Sequence, residues 1–161
     1  MRGIRSIVRD QAGDGMVEFV LTMMVLMSVI LGAMDVARAA YLYHFVSYAA
    51  QQGGRYAMVR GAGWGSTTCS TTATVACNAT SSNVQSYVRS LATTGITSGN
   101  ISVATSWPGK NMSGTTTGCT TTNTAGCLVK VTVTYSYNFL TGFLPKTTFT
   151  LRGTSEVPIQ K

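Results

Sequence analysis

Gly13-Asp14-Gly15-Met16-Val17-Glu18-Phe19 opens the stretch whose reading decides the fold, and it runs on to Met34. A basic segment ends in a glycine, one carboxylate follows five residues later, and sixteen residues from Phe19 to Met34 then carry no charge. A lone Glu at the mouth of an apolar helix is expensive in lipid, on the order of 2.5–3.5 kcal/mol at the bilayer centre and less near an interface. A residue kept there should have a partner. These residues read as a membrane-inserted helix that later packs against copies of itself.

The apolar run is rich in Met, Val and Leu and contains no proline. Met16 to Met34 spans about 28 Å at 1.5 Å per residue, enough to cross the hydrocarbon core. Ser28 and Gly32 form a weak small-x-x-x-small pair. Beyond Met34 the pattern continues as an amphipathic helix. Val36, Ala40, Tyr43, Val46, Ala50, Gly54 and Ala57 recur at spacings of three or four and predict one apolar stripe. Arg38, Gln51, Gln52 and Arg55 lie off it. Gly53-Gly54 is the expected weak point, since each glycine costs about 1 kcal/mol in a helix. Tyr41, Tyr43, Phe45 and Tyr48 predict an aromatic belt at the membrane interface.

The opening stretch resembles the amino-terminal signal of type IV prepilins. Gly13 falls on the glycine at the cleavage point, Glu18 on the acid five residues into the mature chain, and Phe19 on the aromatic that often follows it. Asp14 departs from the uncharged residue expected first in the mature chain. The wider run Gly13 to Arg60, with Tyr41-Leu-Tyr-His and Ala49-Ala-Gln-Gln-Gly-Gly-Arg-Tyr-Ala, is similar to the TadE-like minor pseudopilins of the tight-adherence (Tad) system. That resemblance implies a prepilin peptidase that cuts between Gly13 and Asp14. It also implies that Glu18 meets the new amino-terminal amine of a neighbouring subunit. The partners it implies are that peptidase, other pilin subunits and, before assembly, the inner membrane.

Three segments follow from this reading: a leader at 1–13, a long helix at 14–60 and an extracytoplasmic domain at 61–161. Arginines in the leader place the carboxyl-terminal domain outside by the positive-inside rule. A rival reading takes Ala37-Arg38-Ala39 as a secretory cleavage site that releases a soluble domain. Against it, the apolar run is long for a signal peptide and the helical pattern continues past the cut. A membrane-anchored binding module that never polymerises is the other alternative.

The chain has 161 residues, enough for one helix and one small domain. Only 11% are charged, with Thr, Ser, Gly and Ala in their place. Of the net charge of +7, three arginines against Asp10 give the leader +2, and nine basic against four acidic residues give the rest +5. Those nine are scattered, so no nucleic-acid footprint is visible.

Cys69 and Cys77 are eight apart, as are Cys119 and Cys127. An even count in Thr/Gly-rich loops after an export signal reads as two disulfides in an oxidising compartment. Three connectivities are open, and the turn residues flanking each loop favour the local pairs. The spacing is wrong for a zinc site, and no histidine lies near.

The outer segment reads as α+β. Ser82-Asn83-Val84-Gln85 has the form of a capping box. Val84, Tyr87, Val88 and Leu91 share a helical face, and Gly95 is the expected stop. Ile101, Val103 and Trp107 suggest a first strand, and Val129 to Phe139 alternates apolar and polar residues without a break. After a turn at Leu140–Lys146, Thr148 to Val157 is a third strand with Phe149 and Leu151 pointing inward. These pieces predict a small antiparallel sheet, its apolar face covered by the 82–94 helix and the upper part of the long helix.

Catalysis finds no support. After Glu18 and Asp35 along the chain the only acid is Glu156, so no carboxylate pair is available in the outer segment. His44, the single histidine, sits among aromatics on the long helix and reads as a partly packed polar residue. No cofactor or metal is expected.

Overall fold

The computed structural model describes residues 11–65, 67–69, 77–119, 123–139 and 148–160, with the side chains of the first helix described from Gly15 onward. Residues 1–10 of the leader, the turn expected at Leu140–Lys146 and parts of both cysteine loops lie outside the described residues.

A helix, α1, runs unbroken from Gln11 to Val59. A second, α2, spans Ser81–Ser90. A 3-10 turn at Ser98–Asn100 leads into strand β1, Ile101–Ser106. Strands β2, Leu128–Tyr137, and β3, Phe149–Pro158, complete an antiparallel sheet in the order β1-β2-β3. This is the expected α+β architecture.

β2 is the central strand, and its alternation decides which face is covered. Val129, Val131, Val133, Tyr135 and Tyr137 are buried, while the residues between them point away from the helices. Each fully buried valine stabilises by about 1.5–3 kcal/mol relative to exposure. Their partners in the core are Leu42, Phe45, Val46, Ala49, Ala50 and Ala57 of α1, with Val84 and Val88 of α2.

α1 meets the sheet through small residues. Val46 and Ser47 pass so close to Gly153 of β3 that a Cβ there would stand 2.6 Å from the Val46 carbonyl oxygen. Gly53 and Gly54, expected as a weak point, continue the helix and are buried. A Cβ on Gly53 would lie 2.8 Å from Val88 Cγ2, and one on Gly54 would lie 2.9 Å from Ser155 Oγ. The helix–sheet contact offsets the propensity penalty that the sequence alone suggests.

The upper half of the predicted stripe, Val46 to Ala57, is the face that packs. The lower half is displaced. Val36 and Tyr43 are exposed, and the face that packs there carries Asp35, Leu42 and Phe45. The helix is apolar almost all round at this level, so periodicity could not choose between faces.

Other boundaries also move. α2 is capped by Thr80, whose hydroxyl accepts from Asn83 N–H while Asn83 Oδ1 accepts from Thr80 N–H. The capping box is therefore Thr80-x-x-Asn83, two residues before the predicted one. α2 ends at Ser90 with Leu91 as its cap, not at Gly95, which takes φ +87° in the following turn. Trp107 lies one residue past β1. Phe149 is 53% exposed, so it does not enter the core as expected.

The two ends of the sheet stand at different heights along α1. The start of β2 and the end of β3 adjoin the end of α1, where Gln160 N–H donates to the Met58 carbonyl at 2.9 Å. Ala79 N–H donates to the Arg60 carbonyl there. The other end of the sheet, at Tyr137 and Phe149, stands beside Asp35. The first is called the distal pole and the second the proximal pole.

Candidate functional site: the bare half of the long helix

Among the described residues, nothing covers the first half of α1. From Gly15 to Met34 no residue is buried. That is a rod of about 30 Å with Met, Leu, Val and Phe on every side. It is long and apolar enough to cross a bilayer. The rest of the helix, from Asp35 upward, is covered along one face by the sheet and α2.

Gly13 and Asp14 lie in the first turn of α1, and Glu18 follows one turn later. Glu18 is exposed, and among the described residues no cation stands against its carboxylate. Its backbone carbonyl accepts the Thr22 hydroxyl at 3.0 Å, and Ser28 donates to the Met24 carbonyl at 2.8 Å. Both hydroxyls are thereby turned back onto the helix, which leaves a smooth apolar surface. Gly32 is open, with nothing within 4 Å of a Cβ placed on it.

The disulfides lie far from this end. Cys69 is joined to Cys77 and Cys119 to Cys127, all at the distal pole. Glu18 and Val59 are 41 residues apart on one rod, about 62 Å at 1.5 Å per residue. Between the stapled loops the distal pole carries a cleft of about 400 Å³ lined by Thr68, Asn78, Thr80, Ser81, Trp107 and Asn123. None of these is charged. Asn123 holds the wall in place, donating to the Ala79 carbonyl at 3.2 Å.

His44, expected to be partly packed, is instead exposed, edge-on to Tyr43 at 6.4 Å between ring centroids. Among the described residues no three of His, Cys, Asp or Glu come together as a metal site would need.

Asp35 does not stand out by its sequence context, yet among the described residues it is the buried acid, only 4% exposed. The Tyr137 hydroxyl donates to the Asp35 backbone carbonyl at 3.2 Å. Arg38, one turn along, places its guanidinium over the Tyr137 ring at 5.6 Å. Burial pushes the Tyr137 phenol above its usual value, the Asp35 charge adds to that, and Arg38 opposes it. The available signal was an acid at the last step of the apolar run, a mirror of Glu18 at its first.

Phe45 is only 8% exposed and belongs to the core, so the predicted aromatic belt loses that member. Tyr41, Tyr43 and Tyr48 are exposed, with Tyr41 hydroxyl 3.1 Å from Thr93 Oγ1.

The family model of TadE-like proteins matches residues 13–55, the part of the chain made of the bare rod and the packed segment above it. The match bears out, over those residues, the resemblance seen in the sequence. No curated protein and no solved structure matches.

Proposed function

We propose, with the TadE-like match over residues 13–55 as premise, that the chain is a minor pseudopilin of a Tad-type pilus. Residues 1–13 are a leader removed by prepilin peptidase at the Gly13–Asp14 bond. The bare half of α1 sits in the inner membrane with the outer domain outside. It then exchanges lipid for the helices of other pilin subunits. In that bundle Glu18 meets the amino-terminal amine of a neighbour, which offsets the burial of both charges and sets the axial stagger. The distal pole, with its stapled loops and uncharged cleft, faces outward for adhesion or for contacts at the tip.

The observation that carries this reading is the division of one unbroken helix into a packed half and a bare half. In a helix that only anchored a domain, Glu18 would reach the lipid headgroups and its removal would change nothing beyond the membrane. Glu18→Ala is expected to insert in the membrane and fold as the wild type does, but to be absent from sheared surface filaments. Normal recovery of Glu18→Ala in that fraction would contradict the role given to Glu18. The mature amino terminus separates the alternatives: Asp14 for the pseudopilin, Met1 for a permanent anchor, and a start near Ala40 for a secreted domain.

A further inference from the structure

The charge-free run ends at Met34, and the next residue, Asp35, accepts the Tyr137 hydroxyl. α1 is continuous through this point, so the proximal pole is held at a fixed height on the rod. Rings lead outward from there. Tyr137 is buried, Phe139 is half-buried and Phe149 is exposed. Successive rings meet edge to face, with centroids 5.2 Å apart for Tyr137 and Phe139 and 5.3 Å for Phe139 and Phe149.

Height decides which aromatics can touch lipid. At 1.5 Å per residue Tyr41, Tyr43 and Tyr48 stand about 9, 12 and 20 Å above Asp35. The headgroup layer is only about 5–7 Å thick on each side. Tyr43 and Tyr48 therefore stand clear of a bilayer whose core ends near Met34. The Phe139–Phe149 pair adjoins Tyr137, whose hydroxyl is held at Asp35, the first residue past that core, and exposed Phe buries at the boundary of headgroups and acyl chains.

We infer that Phe139 and Phe149, backed by the buried ring of Tyr137, form an aromatic foot that rests in the phospholipid headgroup layer of the bilayer holding residues 16–34. Arg38, exposed on the same rim, faces the lipid phosphates. This rests on the reading of residues 16–34 as membrane-inserted, but not on cleavage or polymerisation. The foot fixes the height of the outer domain, so a subunit that leaves the membrane must lift the domain's edge as well as its helix.

The test uses the full chain in phosphatidylethanolamine–phosphatidylglycerol proteoliposomes. Phe149→Trp adds a reporter at the foot, with Thr150→Trp beside it should the first variant fold poorly. Wild-type emission gives the background, because Trp64 follows the end of α1, where Arg60 is about 38 Å above Asp35, and Trp107 is also at the distal pole. Leu26→Trp reports the span. Expected is loss of most of the added Phe149→Trp emission to nitroxide on headgroups, with Leu26→Trp quenched by nitroxide deep in the acyl chains. Quenching at Leu26→Trp with none at Phe149→Trp or Thr150→Trp overturns the foot and leaves the span standing. No quenching at either site overturns both.

Discussion

Gly153→Ala adds one methyl group where the structure has no room for it. The new Cβ would lie 2.6 Å from the Val46 carbonyl oxygen, 2.9 Å from its carbon and 3.0 Å from Ser47 Cα. All three atoms are helix backbone, so no rotamer change relieves the contact. Restoring an ordinary separation of about 3.4 Å requires α1 and β3 to part by about 0.8 Å, beyond what a close-packed interior absorbs. Overpacking of this kind costs about 1–3 kcal/mol, and two rigid segments place it at the upper end. Relief of the strand-glycine entropy returns about 0.5–1 kcal/mol. The expected net loss is about 2 kcal/mol, or about 8–16 °C in Tm for an outer domain of this size. Thermal and urea unfolding of the full chain in detergent, followed by near-UV circular dichroism, measures it. Gly99→Ala is the control: nothing lies within 4 Å of its Cβ, so it should stay within about 0.5 kcal/mol of wild type. A Gly153→Ala protein as stable as Gly99→Ala would refute the close approach of α1 to the sheet.

Thr80→Ala removes the α2 cap and should cost about 1 kcal/mol in the same unfolding assay. Ser82→Ala should stay within about 0.5 kcal/mol, the reverse of what the sequence pattern suggests. Tyr137 has a folded pKa above 10.0, raised by burial, so the folded state holds its proton where the unfolded chain has released it. Its contribution is complete below pH 10 and is lost as pH rises through the folded pKa. Tyr137→Phe should therefore flatten the fall in urea midpoint between pH 9 and 11, while costing about 1 kcal/mol at pH 8 for the lost hydrogen bond. Gly32→Ile should leave the unfolding midpoint of the detergent-solubilised subunit unchanged, because nothing lies near that position, yet lower its recovery in sheared filaments.

Sequence periodicity reached β2 most directly. Its one-sided burial follows from strict alternation, and a central strand has no competing register once its valines must face α1. The lower stripe of α1 was misjudged for the opposite reason. Val36 and the ring of Tyr43 offer apolar surface as Leu42 and Phe45 do, and the position of the sheet selects between the two faces. Gly53 and Gly54 looked weak because propensity does not register Val88 or Ser155 across the interface. Thr80 was missed because Asn83 stands where a capping box usually has Glu or Gln.

The candidate site divides in the same way. Gly13, Asp14 and Glu18 stand out by spacing and resemblance alone, and Glu18 is exposed on α1. Asp35 and the proximal aromatics were hidden, since Asp35 and Tyr137 are 102 residues apart and meet only in the fold.

The claim beneath all of this is that the rod from Gly15 to Met34 changes neighbours from lipid to protein. A photo-activatable benzoyl-phenylalanine at Leu26, exposed and mid-rod, tests it most directly in cells that make pili. Cross-links to another pilin chain in the sheared fraction, with lipid adducts in the membrane fraction, are the predicted result. Lipid adducts alone, with no protein cross-link in any fraction, would contradict it.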